Sequence, residues 1–154
     1  MRLTAMTDYS LRLLMHVGQH GGRLCTIAEI AQVYGISEAH LMKITHQLAL
    51  AGFLETLRGR GGGMRLARPP AEIGIGDVVR AMEPDFAMVE CFATGNACTL
   101  SGQCRLTGVL HGSLMAFMEN LDRYTLADLI EPMPAPAQRG AQPVAFASRG
   151  SHPR

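Results

Sequence analysis

Residues 37–70, "SEAHLMKITHQLALAGFLETLRGRGGGMRLARPP", decide how this chain folds. Ser37 is a helix-capping residue, and Leu41, Ile44, Leu48 and Ala51 recur at the spacing of one helical face before Gly52 stops the run. The opposite face carries His40, Lys43 and Gln47. Residues 53–57 and 64–67 then read as two short strands around a turn of arginine and glycine. A helix with a polar, basic face followed by a glycine-rich hairpin is the sequence form of a recognition helix and its wing.

Working outward, "TIAEIAQVYG" (26–35) predicts a short helix, with Thr26 and Glu29 as a capping box and Ile27, Ile30, Ala31 and Tyr34 as its apolar face. The glycine turn after it completes a helix-turn-helix. Further upstream, "TDYSLRLLMHVGQHGG" (7–22) predicts a first helix opening at Thr7 and Asp8 and ending at Gly21 and Gly22. Charge supports the arrangement. Between residues 40 and 70, Lys43, Arg58, Arg60, Arg65 and Arg68 face only Glu55, a patch suited to a polyanion or, more simply, to a solvated surface. The residues assigned to double-stranded DNA are Thr26, Ser37, His40, Lys43, Gln47, Arg58, Arg60 and Arg65.

Downstream, a short helix is expected over Asp77–Glu83, stopped by Pro84. Leu106, Leu110, Leu114, Phe117 and Leu121 then form a continuous helical stripe. Such a stripe needs a partner, either the same helix of a second copy, giving a homodimer, or the chain's own domain. A last short helix carries a Thr125–Asp128 cap, and five of the eight prolines lie beyond it. The expected fold class is mainly α with a small β-wing. Residues 1–84 form the winged helix-turn-helix, 85–104 a cysteine loop, 105–131 the dimerisation helix and the short C-terminal helix, and 132–154 a disordered tail.

The chain has 154 residues, 47% of them apolar and 18% charged, with no apolar run of the roughly 20 residues that a membrane span needs. A cytoplasmic protein without membrane contact is expected, and there thiols stay reduced. "VECFATGNACTLSGQCRL" (89–106) places Cys91, Cys98 and Cys104 on one loop. Their spacing is too wide for the paired C-x-x-C of a zinc ribbon, whereas an iron–sulfur cluster tolerates it; zinc with one N or O ligand, or three ordinary reduced cysteines, are the alternatives. Cys25, just ahead of the Thr26 cap, reads as a small buried hydrophobe. No C-x-x-C pair, nucleotide motif or acid–base constellation accompanies the thiols, so an enzyme is not expected.

The order "TDYSLRLL", "TIAEIAQVYGIS", the wing, "IGDVVRAMEP", three cysteines and "YTLADLIE" resembles the iron–sulfur winged-helix regulators that include NsrR, IscR and RirA, and within them the NsrR type. The similarity covers about residues 1–131. It implies a dimeric, nitric-oxide-responsive transcriptional repressor whose cluster, 4Fe–4S in preference to 2Fe–2S, is held by Cys91, Cys98 and Cys104. By the same resemblance the fourth ligand is Asp8, donated by the partner subunit. Helix capping by Asp8 is its structural alternative, with His111, Glu90 or solvent as other ligands. IscR-type members carry a histidine three residues after the last cysteine; Thr107 stands there, which argues against a cluster-biogenesis regulator. The same family leaves a second function open, a regulator of iron or cluster status that answers to cluster loss.

Overall fold

The computed structural model describes residues 2–95, 97–100 and 103–130. Among these residues six α-helices and one two-stranded antiparallel sheet make a mainly helical fold with a small β-wing. In chain order they are α1 (Ala5–Gln19), α2 (Ile27–Tyr34), α3 (Glu38–Leu50), β1 (Leu54–Leu57), β2 (Gly63–Leu66), α4 (Ile75–Met82), α5 (Arg105–Leu121) and α6 (Leu126–Ile130). The expected tail lies outside the described residues.

The caps explain where the helices begin. Thr26 Oγ1 accepts from the Glu29 N–H at 3.2 Å, and Ser37 Oγ accepts from the His40 N–H at 3.3 Å. The first helix corrects the sequence reading. Its N-cap is Thr4, which accepts from the Thr7 N–H, so Thr7 is buried inside the helix and Asp8 lies in its first turn. Two threonines one helical turn apart offer the same capping chemistry, and Thr4 holds the cap because its backbone is extended. The fourth helix likewise starts two residues earlier than expected, at Ile75, since Ile73, Ile75 and Val78 all enter the core.

One apolar core joins α1, α2, α3, the wing and α4. Leu13, Leu14, Ile30, Leu41, Ile44, Leu48, Ile73 and Val78 are all fully buried. α1 is the hub, packing against α3, α4, α6 and β2. In the sheet, Leu54 pairs with Leu66 and Leu57 with Gly63. Cys25 and Met64 exchange backbone hydrogen bonds of 2.9 and 2.8 Å, which ties the segment after α1 to the wing as a third, one-residue strand.

The C-terminal elements behave differently. α5 leaves the core with only Met118 buried, and its C-terminal end is held where Arg80 of α4 grips Asp122 through two hydrogen bonds of 2.7 and 2.6 Å. Gly76 makes that approach possible, because a Cβ there would stand 1.8 Å from Asp122 Oδ1. After this anchor the chain returns. The Leu126 N–H donates to Ile73 at 2.8 Å, the Ile75 N–H donates to Tyr124 at 3.0 Å, and α6 buries Leu126 in the core beside α1.

Candidate nucleic-acid interface and cysteine loop

α3 presents a sharply divided surface. Leu41, Ile44, Thr45 and Leu48 are buried, while Ala39, Met42, Lys43, His46 and Gln47 face solvent. Lys43 and Gln47 therefore stand where the sequence reading put them. His40 lies beside Gln47 at the edge of that face, half-buried, with its ring meeting Tyr9 of α1 edge-on at a centroid distance of 5.3 Å. Met42, 54% exposed, and His46 occupy the middle of the open face and were missed. Their signal was helical phase: residues 39, 42, 43 and 46 form one stripe opposite the buried one.

The wing turn is built by glycine. The Gly62 N–H donates to Gly59 at 2.9 Å, closing a turn with Arg60 and Gly61 at its centre, and Gly61 has φ +78°. Arg60 thus sits at the tip, and Arg58 is exposed at its base. Arg65 projects from β2 but is committed to a cross-strand ion pair with Glu55 at 2.8 Å. Arg68 lies over the Phe53 ring, 4.9 Å from its centroid, and carries its charge against the same hairpin. Ser37 and Thr26 spend their acceptor oxygens on helix caps and keep hydroxyl hydrogens for other partners.

The cysteine loop follows α4. The Thr4 N–H donates to Glu83 at 2.7 Å, which fixes the start of α1 beside the end of α4, where the loop begins. Cys91 lies in a 3-10 turn over Glu90–Phe92, and Cys104 is the residue that opens α5. Thr107 connects the two. Its hydroxyl oxygen is 3.6 Å from Cys91 Sγ, and hydrogen bonds from the Thr107 and Leu106 backbone and the Thr107 hydroxyl hold the Cys104 thiol below its ordinary range. Cys91, Cys98 and Cys104 are all half-buried and free of disulfides. A cleft of about 730 Å³ opens alongside, lined by Phe86, Phe92, Thr107, His111 and Leu114. Two half-buried thiols sharing one hydroxyl suit a soft metal centre.

Asp8 is not part of that group within one chain. It faces outward from α1 and pairs with Arg12 one turn on, at 3.0 Å. The other proposed oxygen or nitrogen donors, Glu90 and His111, are exposed on the loop and on α5. Along α5, Leu106, Val109 and Met115 are 59%, 64% and 45% exposed, whereas Leu110, Leu114, Phe117 and Leu121 of the stripe read from sequence are half-buried, so the open apolar surface of the helix is only partly that stripe.

A family model described as Rrf2, an iron-dependent transcriptional regulator, matches residues 3–132. The chain belongs to the Rrf2 family. It is 49% identical over 133 residues to the HTH-type transcriptional regulator NsrR of Bacillus subtilis, covering 85% of this chain and 91% of that one. With the NsrR of Geobacillus kaustophilus it shares 51% over 133 residues, 85% and 90% of the two chains. Among solved structures it resembles IscR of T. potens, with a TM-score of 0.69 at 26% identity over 85% of this chain and 87% of that one. CymR, the global cysteine regulator of B. subtilis, gives 0.70 at 26% identity over 84% and 96%. The Rrf2 chain is accordingly a transcriptional regulator and not an enzyme. Among the described residues no helix is long and apolar enough to cross a membrane.

Proposed function

We propose that this regulator is a homodimeric iron–sulfur repressor that binds a palindromic DNA operator and releases it when nitric oxide reacts with its cluster. Cys91, Cys98 and Cys104 hold the cluster, of the 4Fe–4S type, with Asp8 of the partner subunit as the fourth ligand. The observation that carries this reading is the Thr107 link. It brings Cys91 and Cys104 together at the head of a helix that exposes Leu106, Val109 and Met115 in one chain, the surface that a second copy would cover. When bound, the cluster supplies iron that nitric oxide attacks.

The chain's own residues do the rest. In the dimer, two α3 helices enter successive major grooves about 34 Å apart, with Lys43 and Gln47 toward base edges and Ser37 and Thr26 near the backbone. Arg58 and Arg60 of each wing supply phosphate contacts, and Arg65 adds charge once Glu55 yields it. His40, at the edge of the reading face, is the residue through which α1 presses on α3.

Asp8 and Tyr9 are adjacent on α1, so a pull on the Asp8 carboxylate reaches α3 through the Tyr9–His40 contact and the shared core. Without the cluster, Asp8 would keep the ion pair with Arg12 seen in the single chain. Such a switch needs the two states to bind DNA differently, and a hundredfold difference corresponds to about 2.7 kcal/mol, within the ordinary allosteric range. The test is operator binding by anaerobically purified protein, with iron and sulfide counted in the same sample. Tight binding by the loaded dimer that falls about a hundredfold after stoichiometric nitric oxide is the expected result; unchanged binding refutes the proposal.

A second reading is favoured by the family's description as iron-dependent: the signal is loss of the cluster itself. Chelation without nitric oxide separates the two. Release on chelation with indifference to nitric oxide selects the iron-status regulator.

A further inference from the structure

Away from the cysteine loop, the C-terminal half of α1 and the segment after it gather His16, His20 and Cys25. One ligand atom from each lies within 4.8 Å of the other two, with His16 and Cys25 buried and His20 half-buried. We propose that these three residues form a second metal site, for a zinc-class divalent ion, with a fourth coordination position left for solvent or a small anion. This site stands apart from the cluster reading and shares no residue with it.

Three features of the cluster go beyond proximity. First, His16 and His20 are spaced i and i+4 on α1, which puts both imidazoles on one side of the helix, and their ring centroids are 4.4 Å apart. Second, each ring has one nitrogen already bonded to an oxygen. His20 Nδ1 is 2.6 Å from the His16 carbonyl oxygen, and His16 Nε2 is 3.2 Å from Glu29 Oε1. In a neutral imidazole the nitrogen facing an acceptor carries the proton, so Nε2 of His20 and Nδ1 of His16 keep lone pairs. That pairing with a carbonyl or carboxylate on the far nitrogen is how proteins orient metal-binding histidines. Third, the cluster is enclosed: Cys25 is fully buried, and Glu29, which holds His16, is itself held by Arg23.

Binding is an acid–base exchange with no redox step. The ion replaces the Cys25 thiol proton, a metal–sulfur bond forms as the S–H bond breaks, and the proton leaves to solvent. Tetrahedral zinc with bonds of about 2.3 Å to sulfur and 2.0 Å to nitrogen sets donors about 3.5 Å apart, so the present spacing closes by about an ångström. Because Cys25 is also the residue paired with Met64 of β2, the ion would clamp the end of α1 to the root of the wing.

Titration with cobalt(II), followed by competition with zinc, tests this in the full chain carrying Cys91→Ser, Cys98→Ser and Cys104→Ser, so that no loop thiol contributes. The expected result is one equivalent bound per chain, with a thiolate-to-cobalt charge-transfer band, tetrahedral d–d bands and release of one proton. Cys25→Ser should abolish the charge-transfer band. His20→Gln, at a half-exposed position that leaves the fold intact by circular dichroism, should weaken binding at least tenfold. Absence of the charge-transfer band in the folded Cys25-containing chain overturns the proposal, as does a cobalt affinity that His20→Gln leaves unchanged.

Discussion

The winged unit and α5 contrast in how much of their own apolar surface they cover. From α1 to α4 the apolar side chains close on one another, and ten are fully buried. Along the seventeen residues of α5 only Met118 is buried, although the stripe is just as regular. The first region is complete within one chain; the second presents a face, and a thiol pair at its head, that one chain leaves open. The difference fits the proposed division of stability from sensing, in which the reading head is complete within one chain and the sensing end is completed by a second copy.

Substitutions can break that contrast, beginning where the effect is greatest. Leu48→Ala, in the middle of the core, should cost about 2–5 kcal/mol in urea unfolding. Val109→Glu on the open face of α5 should leave the unfolding of the winged unit nearly unchanged while sedimentation shows monomers and operator affinity collapses. Equal stability losses for both would mean that α5 belongs to the same core.

A smaller effect sharpens the role of the wing. Arg60→Ala should weaken operator binding uniformly across sequences and reduce the salt slope of log K by about one per site. Arg65→Ala should change that slope less, since Arg65 is already paired with Glu55.

Acid titration probes the link between α1 and α2. Glu29, hydrogen-bonded by Arg23 first and by His16, is pushed down to about 2. A carboxylate lowered on folding stabilises the protein fully above its unfolded value, near 4.3, and that contribution is lost as the pH falls toward 2. Unfolding midpoints of wild type and Glu29→Gln should therefore differ at neutral pH and converge at about pH 2. The smallest effect is kinetic. In cluster-free protein, alkylation should reach Cys104, whose thiol is lowered and half-exposed, well before the buried Cys25.

Most of the fold was legible because its signals are local. Thr26, Ser37 and Gly52 mark helix ends by chemistry that acts within a few residues, and the arginine–glycine turn identifies the wing. What escaped depends on contacts between distant segments. Polarity alone marked His40, whose half-burial against Tyr9 of α1 was not legible, nor was the exposure of Met42 and His46 beside it. Thr107 was legible only as a missing histidine; its place between two thiols follows from α5 starting at Cys104 while Cys91 folds back across it. His16, His20 and Cys25 come together only because the segment after α1 turns to pair with β2.

Subunit complementation tests most directly whether the sensing end is shared between chains. One chain carries Asp8→Ala with all cysteines intact, and the other carries Cys91→Ser, Cys98→Ser and Cys104→Ser with Asp8 intact. Mixed anaerobically, they should yield heterodimers holding one cluster with wild-type resistance to chelation, whereas the Asp8→Ala homodimer loses its cluster faster. If the mixture loses iron at the rate of the Asp8→Ala homodimer alone, no ligand crosses between subunits and the account is contradicted.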